Sequence, residues 1–580
     1  MMLRFVVMLC LLLWPLLGLQ PACARDTGVD LHVRHFVVEP SGAYLLTVEQ
    51  TRTIAQRDAL HDYARYEIDY NQALEDIIAL EAYTEKADGR RLAVQPHQIT
   101  DQQQAAPVDA PMFRDTRLKI VVFPDVDAGD RVAVRYVVRR HTPLFRGHFE
   151  DLSSARLQRQ RDFRLVYDMP AAVLLHADAI GFVPSAANLP APAAGKRRYA
   201  WRYLDGDDAR PEAGSVSHID YGKRLAVSTF ADYAALARAY QDRVGARALP
   251  DDTVAALAAR VTGDVVEPRA RAIALSDWVR RNVRYVGVHL GFGGVVPHAA
   301  TVLANRYGDA KDHATLLVAL LTSACIDSTV AIVNNSNAYQ LPAVPTLSVL
   351  NHAIVYVPSL QLYLDPTAEN VAGGFLPAAL LGKPAVLTRS GEFVMLPVFQ
   401  QARSHTLTQF TIRSDGSSRL TVTRTGSGAL AELYRDVPGS DVALSSRGAS
   451  NGFTQPPGPA RMATTYDLRG SLGEAVFAFT QEPERHQDFV CPAIDAEDEV
   501  RFHLPTRSRV LALPRATHVD DANFAYHSRY AQRGALVTVQ RQLKFRHTAA
   551  TCTPDDYRRM RPALERMLRD LRSQVVFRRG

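Results

Sequence analysis

Apolar and polar residues alternate along the chain from Asp30 to about Gly222. Leu31, Val33, His35 and Val37 share one face, the turn residues Pro40-Ser41-Gly42 follow, and Tyr44, Leu46 and Val48 resume the alternation. A period of two is the mark of half-buried strands. Asp88-Gly89 signals another hairpin, and Leu118–Phe123 and Val132–Val138 flank a long turn from Pro124 to Asp130. Short strands separated by turn signals predict an N-terminal β-sandwich. The Ala- and Pro-rich stretch from Ala186 to Gly195 reads as a loop.

Near Ser228 the period lengthens to 3.6. Ser228 is the expected cap of a helix that places Tyr233, Leu236 and Tyr240 on one face. Two more helices are predicted over Asp251–Val261 and Pro268–Val283, the second opening on a proline, whose missing N–H costs nothing there. Trp278 within it reads as a core anchor. A further helix after Arg306 is followed by strands near Thr329–Val333, Ala353–Val357 and Gln361–Leu364, the last two forming a hairpin. Helix followed by antiparallel strands is an α+β core. From about Val386 the pattern is β again, with Thr406–Ile412, Leu420–Thr423, Ala475–Phe479 and Val537–Phe545 as strands and Gly452–Pro459 as a loop. An amphipathic helix over Pro554–Ser573, kinked or started by Pro562, closes the chain.

This gives a multidomain chain: residues 1–24 as a signal peptide, 25–227 as a β domain, 228–385 as an α+β core, and 386–580 as a β-rich domain with a terminal helix. A length of 580 residues exceeds what one core supports. Arg4 precedes an apolar run from Phe5 to Leu19, with small residues at Ala22-Cys23-Ala24 for cleavage before Arg25. The run is short for a membrane span, and Gln20 stands where a lipoprotein signal would carry leucine. Cleavage would leave a soluble mature chain, periplasmic or otherwise secreted, without a transmembrane segment. Its formal charge would fall from +6 to +5, as only Arg4 leaves among the charged groups. That charge is spread along the chain, which gives no reason to expect a nucleic-acid partner. Of the cysteines beyond the signal, Cys491 and Cys552 form the expected disulfide, and Cys325 reads as a small buried hydrophobe.

The chemistry concentrates in Asn305 to Leu321, which contains Arg306-Tyr307-Gly308-Asp309-Ala310-Lys311-Asp312. Asp309 can cap a helix and Asp312 can reach back in a capping box, so residue 310 occupies the first helical position. Free N–H groups and the helix dipole favour negative charge there. The stretch resembles the nucleophile motif of the transglutaminase-like superfamily, Gly-Asp-Cys-Lys-Asp. Asn351-His352 and Leu364-Asp365-Pro366-Thr367 resemble the histidine and aspartate segments of the same triad. Arg284-Tyr285-Val286-Gly287-Val288, Gly291-Phe292-Gly293-Gly294 and Pro297-His298 resemble the approach to that motif in exported bacterial proteins of the superfamily. Glu81-Ala82-Tyr83 through Arg90, and the Phe123–Val126 turn, resemble the domain of unknown function 3857 that precedes the core in those proteins.

The resemblance implies a thiol at residue 310 activated by His352, with Asp365 orienting the imidazole. Alanine occupies that position. No neighbour replaces it: Cys325 lies about 22 Å along the same helix at about 1.5 Å per residue, and Lys311 should point away and stay charged. His298 and His313 read as surface or packing residues, no zinc-type Cys-x-x-Cys occurs, and neither cofactor nor metal is expected. The favoured reading is an exported pseudoenzyme that binds a peptide, protein or envelope polymer in the old cleft. The alternatives are an active cysteine acyl-transferase or protease-like enzyme whose cysteine was replaced in this copy, and a structural module of the cell envelope. An uninterrupted signal-like segment and the lack of a tag favour a natural alanine over an engineered one.

Overall fold

The computed structural model describes residues 28–57, 60–103, 116–155, 159–186, 189–204, 211–286, 296–415, 417–433, 460–464 and 472–578. The signal-peptide segment, Gly291–Gly294 and the Gly452–Pro459 loop therefore lie outside the described residues.

The N-terminal alternation produces an eight-stranded sheet. Leu31–Val38 and Tyr44–Thr53 pair as a hairpin at its centre, flanked by Asp162–Pro170 and Arg131–Arg140. The Asp88-Gly89 turn joins Glu75–Glu85 to Arg91–Ala93 at one edge. Two three-stranded sheets accompany it: Arg65–Asn71 with Thr116–Val122 and Ile99–Gln103, and Glu150–Ser154 with Arg224–Ser228 and His176–Ile180. Phe36, Phe163, Leu165, Tyr167 and Leu225 fill one core between the layers, and Ile54, Val121, Val132 and Val134 another. Strands with one buried face cannot slip by one residue without exposing that face.

Ser228 ends a strand rather than capping a helix. The cap is Asp232, whose side chain accepts the Ala235 N–H at the start of Tyr233–Val244. Both are good capping residue types, and Arg224–Ser228, buried at every position, is extended by its two sheet partners. Helices Asp252–Thr262 and Pro268–Asn282 match their expected spans, capped by Asp251 and Glu267.

The central unit packs these helices and Ala299–Asn305 around the helix Ala310–Ser323. Eleven residues of Ala310–Ser323 are buried, on all sides, as expected of a helix enclosed by protein. Beneath it lies an antiparallel sheet in the order Leu362–Leu364, His352–Val357, Thr329–Val333, Pro384–Leu387, Phe393–Met395. Cys325 is exposed, not buried. It adopts φ 58° just beyond the helix, and the following Ile326 N–H returns to the Leu321 carbonyl, so the chain turns outward in a left-handed C-terminal cap.

The C-terminal unit has a six-stranded sheet that includes Ala402–Ile412, Ser418–Gly428, Asp495–His503 and Leu536–Phe545. Its core includes the Cys491–Cys552 disulfide. The predicted strand Ala475–Phe479 is instead part of a helix, Leu472–Phe479. Leu472, Val476 and Phe479 are buried at i, i+4 and i+7, a helical spacing in a run too short for its composition to decide. The helix Pro554–Leu571 starts at Pro554 and runs through Pro562. A last strand, Gln574–Arg578, follows it and lies between Ala460–Ala463 and Arg509–Ala512. Among the described residues no helix is long and apolar enough to cross a membrane.

Candidate active site

Residue 310 sits at the tip of the buried helix because Asp309 and Asp312 close a reciprocal box. The Asp309 carboxylate accepts the N–H groups of Lys311 (2.8 Å) and Asp312 (3.2 Å), and Asp312 Oδ2 accepts the Asp309 N–H at 3.0 Å. Gly308 is required by this arrangement. A Cβ there would lie 2.6 Å from the Asp312 Cβ, and neither atom could move aside. Burial and the Asp309 charge push the Asp312 carboxyl well above its ordinary range, against the Asp309 N–H and Lys311, which pull it down. Lys311 does not point away. Its ammonium folds back onto Asp309 Oδ2 and is itself buried.

His352 opens its strand and Asp365 follows the neighbouring one, so the hairpin brings them face to face. His352 Nε2 meets Asp365 Oδ2 at 2.9 Å, with each side chain 1% exposed. Because the contact uses Nε2, Nδ1 lies on the other edge of the ring. Asp365 Oδ1 accepts both the Thr367 N–H (3.0 Å) and the Thr367 hydroxyl (2.7 Å). The Asp-Pro-Thr sequence is thus a turn that fixes the carboxylate. Burial opposes ionisation of Asp365, but the His352 charge and hydrogen bond together with Thr367 hold its carboxyl below the usual range.

Ala310, Ala353 and Leu364 belong to one continuous core, and the last two are the chain neighbours of His352 and Asp365. Tyr285 links the two halves. A short parallel pairing sets it opposite Gly308, and its phenol is pushed up by burial and then by the Asp309 and Asp365 carboxylates. It is 40% exposed, so it marks where this interior reaches solvent. Sequence reasoning assigned no role to Tyr285 or Thr367. The first is placed by long-range pairing, while the second carried a local signal in the Asp-x-Thr turn. His313 is fully buried and bridges the Asp309 and Val283 carbonyls at 2.8 and 3.0 Å, whereas His298 is exposed at a helix start.

Elsewhere, Cys491, His547 and Cys552 present ligand-type atoms within 4.8 Å of one another. The two sulfurs are bonded to each other, which removes the thiolates a metal would need.

Residues 255–363 match the profile of the transglutaminase-like superfamily core. The chain carries a transglutaminase-like core. It is preceded by a match to the domain of unknown function DUF3857 over residues 40–206 and followed by one to the domain of unknown function DUF3858 over residues 472–577. The C-terminal family was not anticipated from sequence. The crystal structure of a candidate protease from Parabacteroides distasonis superposes with a TM-score of 0.73 at 15% identity, covering 96% of this chain and 100% of that one. At that identity it establishes a shared fold over nearly the whole chain. A candidate cysteine protease from Cytophaga hutchinsonii aligns at 11% identity over 56% of this chain and 76% of its own, with a TM-score of 0.17, too low to equate any residues. No curated protein matches the chain.

Proposed function

We propose that this transglutaminase-like protein is exported, has lost its nucleophile, and holds a peptide or envelope polymer in the degenerate cleft. One observation carries the reading. A methyl group occupies the first helical position, at a capping box, and its core is shared by Ala353 and Leu364, the chain neighbours of a buried, hydrogen-bonded His352–Asp365 pair of the kind that serves a thiol. An amide-rich helix start would lower a thiol's pKa and hold an oxyanion. Alanine supplies no nucleophile, so acyl transfer falls to the residual catalysis of binding and oxyanion donors. The Cys491–Cys552 disulfide supports export, since such bonds persist in oxidising compartments.

Restoring the sulfur tests the reading. Ala310→Cys, treated with iodoacetamide at neutral pH and mapped by peptide mass, is expected to alkylate at residue 310 much faster than an ordinary thiol. An unreactive thiol at that position would show that the cleft was never poised for thiol chemistry. The unaltered protein is expected to bind envelope peptides saturably without cleaving or joining them. Turnover by the unaltered protein would overturn the proposal, and absence of saturable binding would leave a structural module.

A further inference from the structure

A cavity of about 770 Å³ lies where three stretches of chain meet. Ala213 and Gly214 come from the segment before the central helices, Leu376 to Gln401 from the central unit and the link that follows it, and Ala402, Arg403 and Ala475 to Ala550 from the C-terminal unit. Ala310, His352 and Asp365 take no part in its wall. Its volume falls within the range of small-molecule sites. The wall is mostly apolar, through Leu376, Leu381, Phe479 and Phe545, and Val398 and Phe399 remain 38% and 67% exposed.

Arg485 makes this cavity unusual. The residue is 4% exposed and lines the wall. Its Nη2 donates to the Phe479 carbonyl at 3.2 Å, but Nε and Nη1 are buried with no hydrogen-bond partner. The guanidinium is held against the faces of Phe489 (4.4 Å) and Tyr557 (5.2 Å). The nearby acids are engaged elsewhere: Glu212 accepts the N–H groups of His486 and Gln487, and Glu482 accepts that of Ala213. Burial accordingly pulls the guanidinium pKa down despite Tyr557, Glu212 and Glu482. A buried donor pair left unmatched within the chain is costly unless a partner arrives from outside. Lys544 and Arg403 add positive charge to the wall, balanced in part by Asp495 at 3.8 and 3.7 Å.

We propose that this junction cavity binds an amphipathic anion, with a carboxylate head against Arg485 and a hydrocarbon body along the apolar wall. The head gives the guanidinium a charge-assisted partner, and the tail removes apolar surface from water. This proposal does not depend on the state of residue 310.

Isothermal titration of the full chain with dodecanoate, below its micelle concentration, provides the test. Dodecanol and dodecyltrimethylammonium serve as neutral and cationic controls. One-to-one saturable binding of dodecanoate is expected, at least tenfold tighter than either control. Arg485→Gln should weaken dodecanoate at least tenfold and leave dodecanol unchanged. Phe399→Ser, a change at an exposed site, should weaken dodecanoate and dodecanol alike. No saturable binding, equal binding of the cationic control, or undiminished dodecanoate binding by Arg485→Gln would each overturn the proposal. If Arg485→Gln does not fold, full-strength dodecanoate binding by Phe399→Ser would do so.

Discussion

The helix beginning at Ala310 and the helix beginning at Pro554 open with the same hydrogen-bonded box, one inside the protein and one at its surface. Asp309 and Asp312 form the first, Thr553 and Asp556 the second. The inner box is enclosed, and burial with the neighbouring Asp309 charge drives Asp312 upward. The outer box is largely solvated, and the Thr553 N–H, ahead of the Thr553 hydroxyl and Arg559, draws Asp556 downward against a modest burial penalty. Identical local geometry therefore gives a plain cap where water can solvate the charge, and an electrostatically loaded helix end where it cannot.

The largest effect should come from the buried His352–Asp365 pair. His352→Ala leaves the Asp365 carboxylate buried without its imidazole, and urea unfolding should show a loss of about 3–5 kcal/mol. Next come the boxes themselves. Asp312→Ala strands the buried Asp309 N–H and should lose about 2–3 kcal/mol, whereas Asp556→Ala at the surface should lose about 1 kcal/mol. Equal losses would dissolve the distinction.

The smallest effect is the most diagnostic, because the two boxes should respond to pH with opposite signs. The folded Asp312 is raised, so its favourable contribution is fully present below the unfolded aspartate range and is lost as pH rises through its folded value. Asp312→Asn should match the parent near pH 4 and melt higher at pH 8. The folded Asp556 is lowered, so its contribution is present above the unfolded range and lost as pH falls through its folded value. Asp556→Asn should melt slightly lower than the parent at pH 7, and the difference should fade as pH falls through the lowered folded value of Asp556. Melting curves across pH for the two variants give the comparison directly.

Much of this was legible from local signals. The Gly-Asp-Ala-Lys-Asp run implies a capped helix start because every contact in the box lies within three residues. The pairing of His352 with Asp365 follows from a hairpin of two short apolar strands, in which Val355 pairs with Leu364. At Ser228, where sequence misled, nonlocal partners decided the outcome. Ser228 was drawn into a strand by Glu150 and His176 across the sheet. Lys311, placed outward by helical geometry, turned back because a buried ammonium needs Asp309. The junction cavity had no local signature at all, since Arg485, Phe399 and Gly214 meet only through the tertiary fold.

The outward turn at Cys325 has a practical side. The residue is exposed and occupies a left-handed backbone position at the far end of the helix that begins at Ala310. Glycine suits such a position better than any residue with a side chain. A single Cys325→Gly exchange would therefore ease the backbone and silence the one free thiol among the described residues, so that a cysteine placed at position 310 would compete with none of them.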